Sequence, residues 1–333
     1  MKKFGWFLLC LIPICLLGQS SEKINGISFV ASREGVAQEH VAEVIDLNAN
    51  YAAIMPFGFI RDINSPVIIF NTDRQWFGET KEGAMQYIKL LHDNGIKTMV
   101  KPQIWIWKGE FTGRLTMHTE ADWKILEDSY EDFIMTYANM AADAGSELFC
   151  VGTELARFVQ LRPDYWHRLI AKIRTVYSGK LTYAANWDEY DRIPFWEDLD
   201  YIGIDAYFPL SEEKTPSVAQ LKAGWQEHKD RIKALYSTCE KPVLFTEYGY
   251  RSTDQTAWKP WLVDRHEEPV NLTAQENATR AILEEFWPES WFAGGYVWKW
   301  FIDHKQSGGE RDNRFTPQNK PAEEVLRDFY RRY

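Results

Sequence analysis

The sequence is poor in cysteine, and the four it has build no framework: Cys10 and Cys15 fall in an apolar run near the start, leaving Cys150 and Cys239. Neither of these sits in a CxxC or a Cys/His spacing that would hold zinc, so both read as plain buried thiols, with a disulfide between them left open. The seven histidines form no HExxH or HxH pattern and there is no acidic loop of the EF-hand kind, so no metal and no cofactor are expected. Positive charge is also short, with 38 Lys and Arg against 48 Asp and Glu. A net charge of −10 excludes a polyanionic partner such as nucleic acid, whose binding draws on clustered Lys and Arg. Low-complexity runs and internal repeats are missing, which excludes a solenoid or a disordered chain.

No apolar run is long enough to span a membrane comfortably, which takes about 20 residues. The one from Gly5 to Leu17 follows Met1-Lys2-Lys3-Phe4 and leads into Gly18-Gln19-Ser20-Ser21, the basic, apolar and small parts of a secretory signal peptide. Residues 1–20 are therefore expected to direct export to the periplasm or the outside, with cleavage between Gly18 and Ser21. A lipoprotein would carry its lipid on Cys15, but Ile14 is large where such signals want a small residue. The mature chain, 21–333, is expected to be a monomer with a single domain.

What is present is aromatic, with 15 Trp, and a recurring short apolar run. Eight candidate strands appear: Ile24 to Val30, Tyr51 to Met55, Lys97 to Pro102, Leu148 to Gly152, Leu181 to Ala185, Tyr201 to Asp205, Val243 to Thr246, and Gly295 to Trp298. Helical patterns lie between them, such as Trp123, Leu126, Tyr130, Phe133, Ile134, Tyr137 and Ala141, closed by Gly145. Another is expected to open with Thr273-Ala274-Gln275-Glu276 as a capping box. Strands alternating with helices imply a parallel sheet, and eight units imply closure into an α/β fold, the (β/α)8 TIM barrel. The open doubly wound alternative would want a GxGxxG turn after the first strand, and none is there.

In such a barrel the active face lies just after each strand. Those positions hold Gln103, Trp105 and Trp107 after the third, Glu154 after the fourth, Asn186 and Trp187 after the fifth, Asp205 and Tyr207 at the sixth, Glu247 at the seventh, and Trp298 and Trp300 at the eighth. Two glutamates that end apolar strands cost desolvation unless they have a task or a structural partner. Together they suit glycoside cleavage, in which one carboxylic acid protonates the leaving oxygen and one carboxylate attacks the anomeric carbon.

Carboxylates ending strands four and seven resemble the retaining barrel glycosidases of clan A. Within it, Leu181-Thr182-Tyr183-Ala184-Ala185-Asn186-Trp187, the segment from Phe195 through Asp205-Ala206-Tyr207-Phe208-Pro209-Leu210, and Phe245-Thr246-Glu247-Tyr248-Gly249-Tyr250-Arg251-Ser252 resemble glycoside hydrolase family 113. The likeness runs from about Gly26 to Lys320-Pro321-Ala322-Glu323. The resemblance implies β-1,4-mannanase activity on a β-linked polysaccharide or oligosaccharide, with Glu154 as acid/base and Glu247 as nucleophile. Much of the clan has Asn before the acid/base; Thr153 stands here, as in family 113.

The remaining candidates each have a bland alternative. Tyr207 is expected to hold the nucleophile, or to be a core tyrosine. Asn186 either meets a sugar hydroxyl or forms a turn. Trp298 is expected to floor the sugar at the cleaved bond, with Trp300 on the same side by strand alternation. Of Trp105 and Trp107, one is expected to face the cleft. Gln103, Arg61 and Trp187 are further contacts, Trp258 and Trp261 either line a subsite or cap the barrel wall, and Asp205 is expected to orient loops or pair with an arginine. The competing functions are an exo-acting β-mannosidase, a hydrolase of another β-glycan, and a barrel that only binds carbohydrate; a pure binder has no use for both glutamates.

Overall fold

The computed structural model describes residues 22–262 and 268–333. The expected leader, its cleavage stretch, Cys10 and Cys15 lie outside the described residues. Eight parallel strands close into a barrel: Ile24–Phe29, Tyr51–Ile54, Lys97–Val100, Leu148–Thr153, Lys180–Asn186, Ile202–Asp205, Val243–Tyr248 and Phe292–Trp300, the first pairing with the eighth. These are the eight strands read from the sequence.

Helices α1 (Gln38–Asp46), α2 (Lys81–Asp93), α3 (Glu120–Ala144), α4 and α5 (Ala156–Leu161 and Pro163–Arg174), α6 (Val218–Cys239) and α7 (Leu272–Phe286) make the crossovers, and α8 (Pro321–Arg332) follows the eighth strand. The fifth crossover has no α-helix, only the short 3₁₀ turns Tyr190–Arg192 and Trp196–Asp198. Helix α3 shows how the sequence dictates an element. The Thr119 hydroxyl accepts from the Asp122 N–H, acidic Glu120 and Asp122 complement the dipole, and Gly145 at φ 70° ends the helix. Its expected apolar face is buried. The cap of α7 corrects the expected capping box: Asn271, two residues before Thr273, accepts from the Ala274 N–H. An Asn ahead of the first turn meets the free N–H groups as well as a Thr does.

Inside the barrel, Ile24, Ala53, Met99, Leu148, Cys150, Ala184, Leu244 and Tyr296 form one apolar cluster, separate from the larger core between strands and helices. The Tyr296 ring fills this interior so closely that a Cβ on Gly26 would lie 2.4 Å from it. Cys150 is buried and Cys239 half-buried, and both are free thiols, which closes the disulfide question.

The second and third strands carry an addition not read from the sequence. They pair up to Ile54 and Val100, and each then meets a proline, Pro56 or Pro102. Proline lacks the N–H that a ladder needs, so pairing breaks at the same level in both. It resumes beyond the barrel as a two-stranded parallel sheet, Phe57–Ile60 with Gln103–Ile106.

Candidate active site

Strand ends bring the candidates to one face. Glu247 sits within the seventh strand and is 6% exposed. Three donors hold its carboxylate: Lys101 Nζ to Oε1 at 2.5 Å, Gln103 Nε2 to Oε1 at 3.2 Å, and the Tyr207 hydroxyl to Oε2 at 2.7 Å. Burial, followed by the charges of Glu247 and Asp205, pushes the Tyr207 phenol well above its ordinary value, so it stays a donor. Tyr207 thus stands where the sequence reading put it, beside the second glutamate, and Gln103, expected as a sugar contact, bonds that glutamate.

Lys101 was not singled out in the sequence, yet its ammonium is fully buried between two carboxylates. It bonds Asp205 at 3.2 and 3.4 Å as well as Glu247. Burial alone would lower its pKa, but the charges of Asp205 and Glu247 outweigh that and hold it above the ordinary lysine value. The readable signal was alternation: Met99 faces the barrel interior, so Lys101, two residues on, faces the same way at the rim. Asp205 therefore pairs with a lysine, not with the expected arginine, and also accepts from the Thr246 hydroxyl at 2.7 Å. Burial and the neighbouring Glu247 charge lift Asp205 to about 7, against the pull of Lys101 and Thr246.

Glu154 is treated differently. It follows the fourth strand with φ 50°, a left-handed conformation rare outside glycine. Its N–H donates to the Ala184 carbonyl at 2.8 Å, and the next N–H, of Leu155, donates to the Tyr183 hydroxyl at 2.7 Å, so the turn is held from two sides. Its half-buried carboxyl makes no hydrogen bond among the described residues. Burial, then the charges of Asp205 and Glu247, push it well above the usual carboxylate range despite Lys101. The two glutamates are thus close enough to feel each other's charge, one held as an acceptor by three donors and the other favoured in its protonated form.

The aromatic candidates divide. Trp298 is half-buried, with the Lys299 ammonium 5.5 Å from its ring. Trp300 is wholly buried, packed 5.4 Å from His304, and is core, not a sugar contact. The physical reason is a bulge: between Ile27 and Phe29 the first strand spends two residues against three of the eighth, Val297 to Trp300, so Trp298 and Trp300 do not share a face. Asn186 serves a turn, its side-chain oxygen accepting from the Trp187 N–H at 2.9 Å while its own N–H donates to Glu189 at 3.2 Å. Trp187 stacks on Trp261 with centroids 4.8 Å apart, a half-exposed aromatic pair on the rim. Trp258 lies under the Lys259 ammonium, 4.1 Å from its ring, and Arg61 is exposed without contact to either glutamate. Trp105 and Trp107 are 52% and 55% exposed and by strand alternation lie on one face with Gln103. A cavity of about 690 Å³ lined by Arg33, Asn71, Gln75 and Phe77 contains neither glutamate.

Residues 31–320 match Glycoside Hydrolase Family 113. The fold is similar to that of the GH113 β-mannanase AaManA from Alicyclobacillus acidocaldarius, with a TM-score of 0.82 at 24% identity over 93% of this chain and 97% of that one. A GH113 β-1,4-mannanase gives 0.80 at 23% identity, over 94% and 100%. A β-glucuronidase from Faecalibacterium prausnitzii gives 0.61 at 15%, and there the chain, over 93% of its length, spans 49% of the other protein. No curated protein matches the chain.

Proposed function

Because the chain belongs to glycoside hydrolase family 113, and so is a glycoside hydrolase, we propose that it is an endo-acting β-1,4-mannanase working by double displacement with retention. The observation that supports this is the unequal setting of the two glutamates. Glu247 is fixed by Lys101, Gln103 and Tyr207 as an acceptor-only carboxylate, ready to attack the anomeric carbon. Glu154, desolvated and facing negative charge, keeps a proton to give to the leaving oxygen. When Glu247 becomes an ester, its charge disappears. One of the charges that raise Glu154 is then gone, and the carboxylate left after proton donation can take a proton from water in the second step.

Trp298, half-buried at the end of the eighth strand, is the proposed floor for the reacting sugar, and Trp187 a rim contact. Export by residues 1–20 is part of the same proposal, since a polymer is met outside the cytoplasm. N-terminal sequencing of the exported chain should begin between Gly18 and Ser21, and an intact Met1 in that fraction would refute it.

The substrate is tested by incubating the mature chain with a panel of soluble β-glycans and following the products by size and by proton NMR. The expected result is cleavage of β-1,4-mannan to oligosaccharides of several lengths, the β-anomer appearing first. Release of mannose alone would exclude endo action, and a first-formed α-anomer would exclude retention.

A further inference from the structure

The two-stranded sheet beyond the barrel is tied to both glutamates. Its inner end carries Gln103, whose amide bonds Glu247 at 3.2 Å. The segment that leaves its outer end returns to Thr112, whose hydroxyl donates to the Glu154 carbonyl at 3.3 Å. Between these two anchors the chain exposes Trp105, Trp107 and Phe111 at 52%, 55% and 42%, while the alternating Ile104 and Ile106 are buried beneath. Phe57 and Phe59 of the partner strand stand level with Gln103 and Trp105, half-exposed and 6.3 Å apart. Trp105, Trp107, Phe57 and Phe59, which strand alternation and register put on one face with Gln103, are costly to leave wet and mark a surface that binds.

We propose that this face is a sugar-binding strip that extends the cleft, and that the occupant is the part of the glycan chain lying beyond the cleaved bond. This rests on the reading of the chain as a β-glycan hydrolase. The spacing suits a polymer. Two residues along a strand advance about 6.6 Å, so Trp105 and Trp107 lie roughly 7 and 13 Å outward from Gln103 and offer successive indole faces to successive sugar rings. A short substrate engaged only at Glu154, Glu247 and Trp298 does not reach them. The strip therefore makes the rate depend on chain length, and it supplies the physical basis of endo action.

The test compares kcat/KM for a hexasaccharide with that for an aryl monoglycoside, both of the glycan that the panel identifies as substrate. In the chain carrying both Trp105→Ala and Trp107→Ala, the long-to-short ratio should fall by roughly 10- to 100-fold, as expected for two lost stacking partners. Trp107→Phe, which keeps a ring, should recover part of the ratio lost in Trp107→Ala. An unchanged ratio, or no difference between Phe and Ala at 107, overturns the strip. Because the ratio is internal to one glycan, the mannan reading fails separately, by a wild-type chain that spares mannan and cuts another polymer.

Discussion

Replacing Glu247 with Ala should lower kcat by about 10⁴- to 10⁶-fold, the scale on which loss of a nucleophile is felt. Sodium azide should then restore part of the rate on an aryl β-mannoside and yield the α-mannosyl azide. The reason lies in what the substitution leaves behind. Lys101 Nζ, Gln103 Nε2 and the Tyr207 hydroxyl all point at the vacated carboxylate position, and together they form a site for a small anion. An azide held there is on the face from which Glu247 would have attacked. It can form a bond to the anomeric carbon while the phenolate leaves, and with no second displacement the product is inverted. The fold should survive, because Lys101 keeps Asp205 as a partner at 3.2 Å. Near-normal activity without azide would remove Glu247 from the mechanism, and a β-azide product would contradict its position.

That experiment concerns a residue legible from the sequence, and the reason it was legible is physical. Glu247 and Glu154 end apolar, β-branched runs that read as buried strands, and a carboxylate there costs desolvation unless it has a task or a partner. Short apolar, β-branched or aromatic runs marked all eight barrel strands. Lys101 escaped because Lys97-Thr98-Met99-Val100-Lys101-Pro102 reads as the third strand, and nothing in the run shows what faces the lysine before its closing proline. Only the inward direction of Met99 reveals that the ammonium points over the barrel mouth. The outer two-stranded sheet was hidden for a related reason: Pro56 and Pro102 each look like a strand ending, and only their level pairing shows that both strands resume. Trp300 was misplaced because alternation was carried through a bulge that sequence does not announce. The turn role of Asn186 depends on Glu189, buried in a connection where helix was expected and a pair of 3₁₀ turns stands.

Replacing Lys101 with Met should cost both stability and rate, and the loss should grow with pH. The side chain is of similar length, so the change removes charge more than volume. Two buried carboxylates, Asp205 and Glu247, then face each other without the cation that bridges them. Breaking a buried ion pair on one side typically costs about 3–5 kcal/mol, because an uncompensated charge remains. Asp205 sets the pH window. Its folded pKa is raised to about 7, above the ordinary carboxylate value, so the stability linked to its proton is fully present at low pH and is lost as pH rises through 7. At pH 5 the Lys101→Met chain can keep Asp205 neutral and should lie close to the lower end of that range. At pH 8 the proton is harder to keep, and the gap in Tm from the wild-type chain should widen. Activity should fall as well, since Glu247 loses its shortest hydrogen bond and one of the three donors that fix its orientation. Adding Asp205→Asn removes the second charge while leaving an oxygen to accept from Thr246, so the double variant should regain much of the Tm at pH 8 but not the kcat. Thermal unfolding at pH 5 and pH 8, measured beside steady-state rates, decides it. A Lys101→Met chain with the same deficit at both values, or a double variant no more stable than the single one, would show that the Lys101–Asp205–Glu247 bridge does not carry the electrostatics of the site.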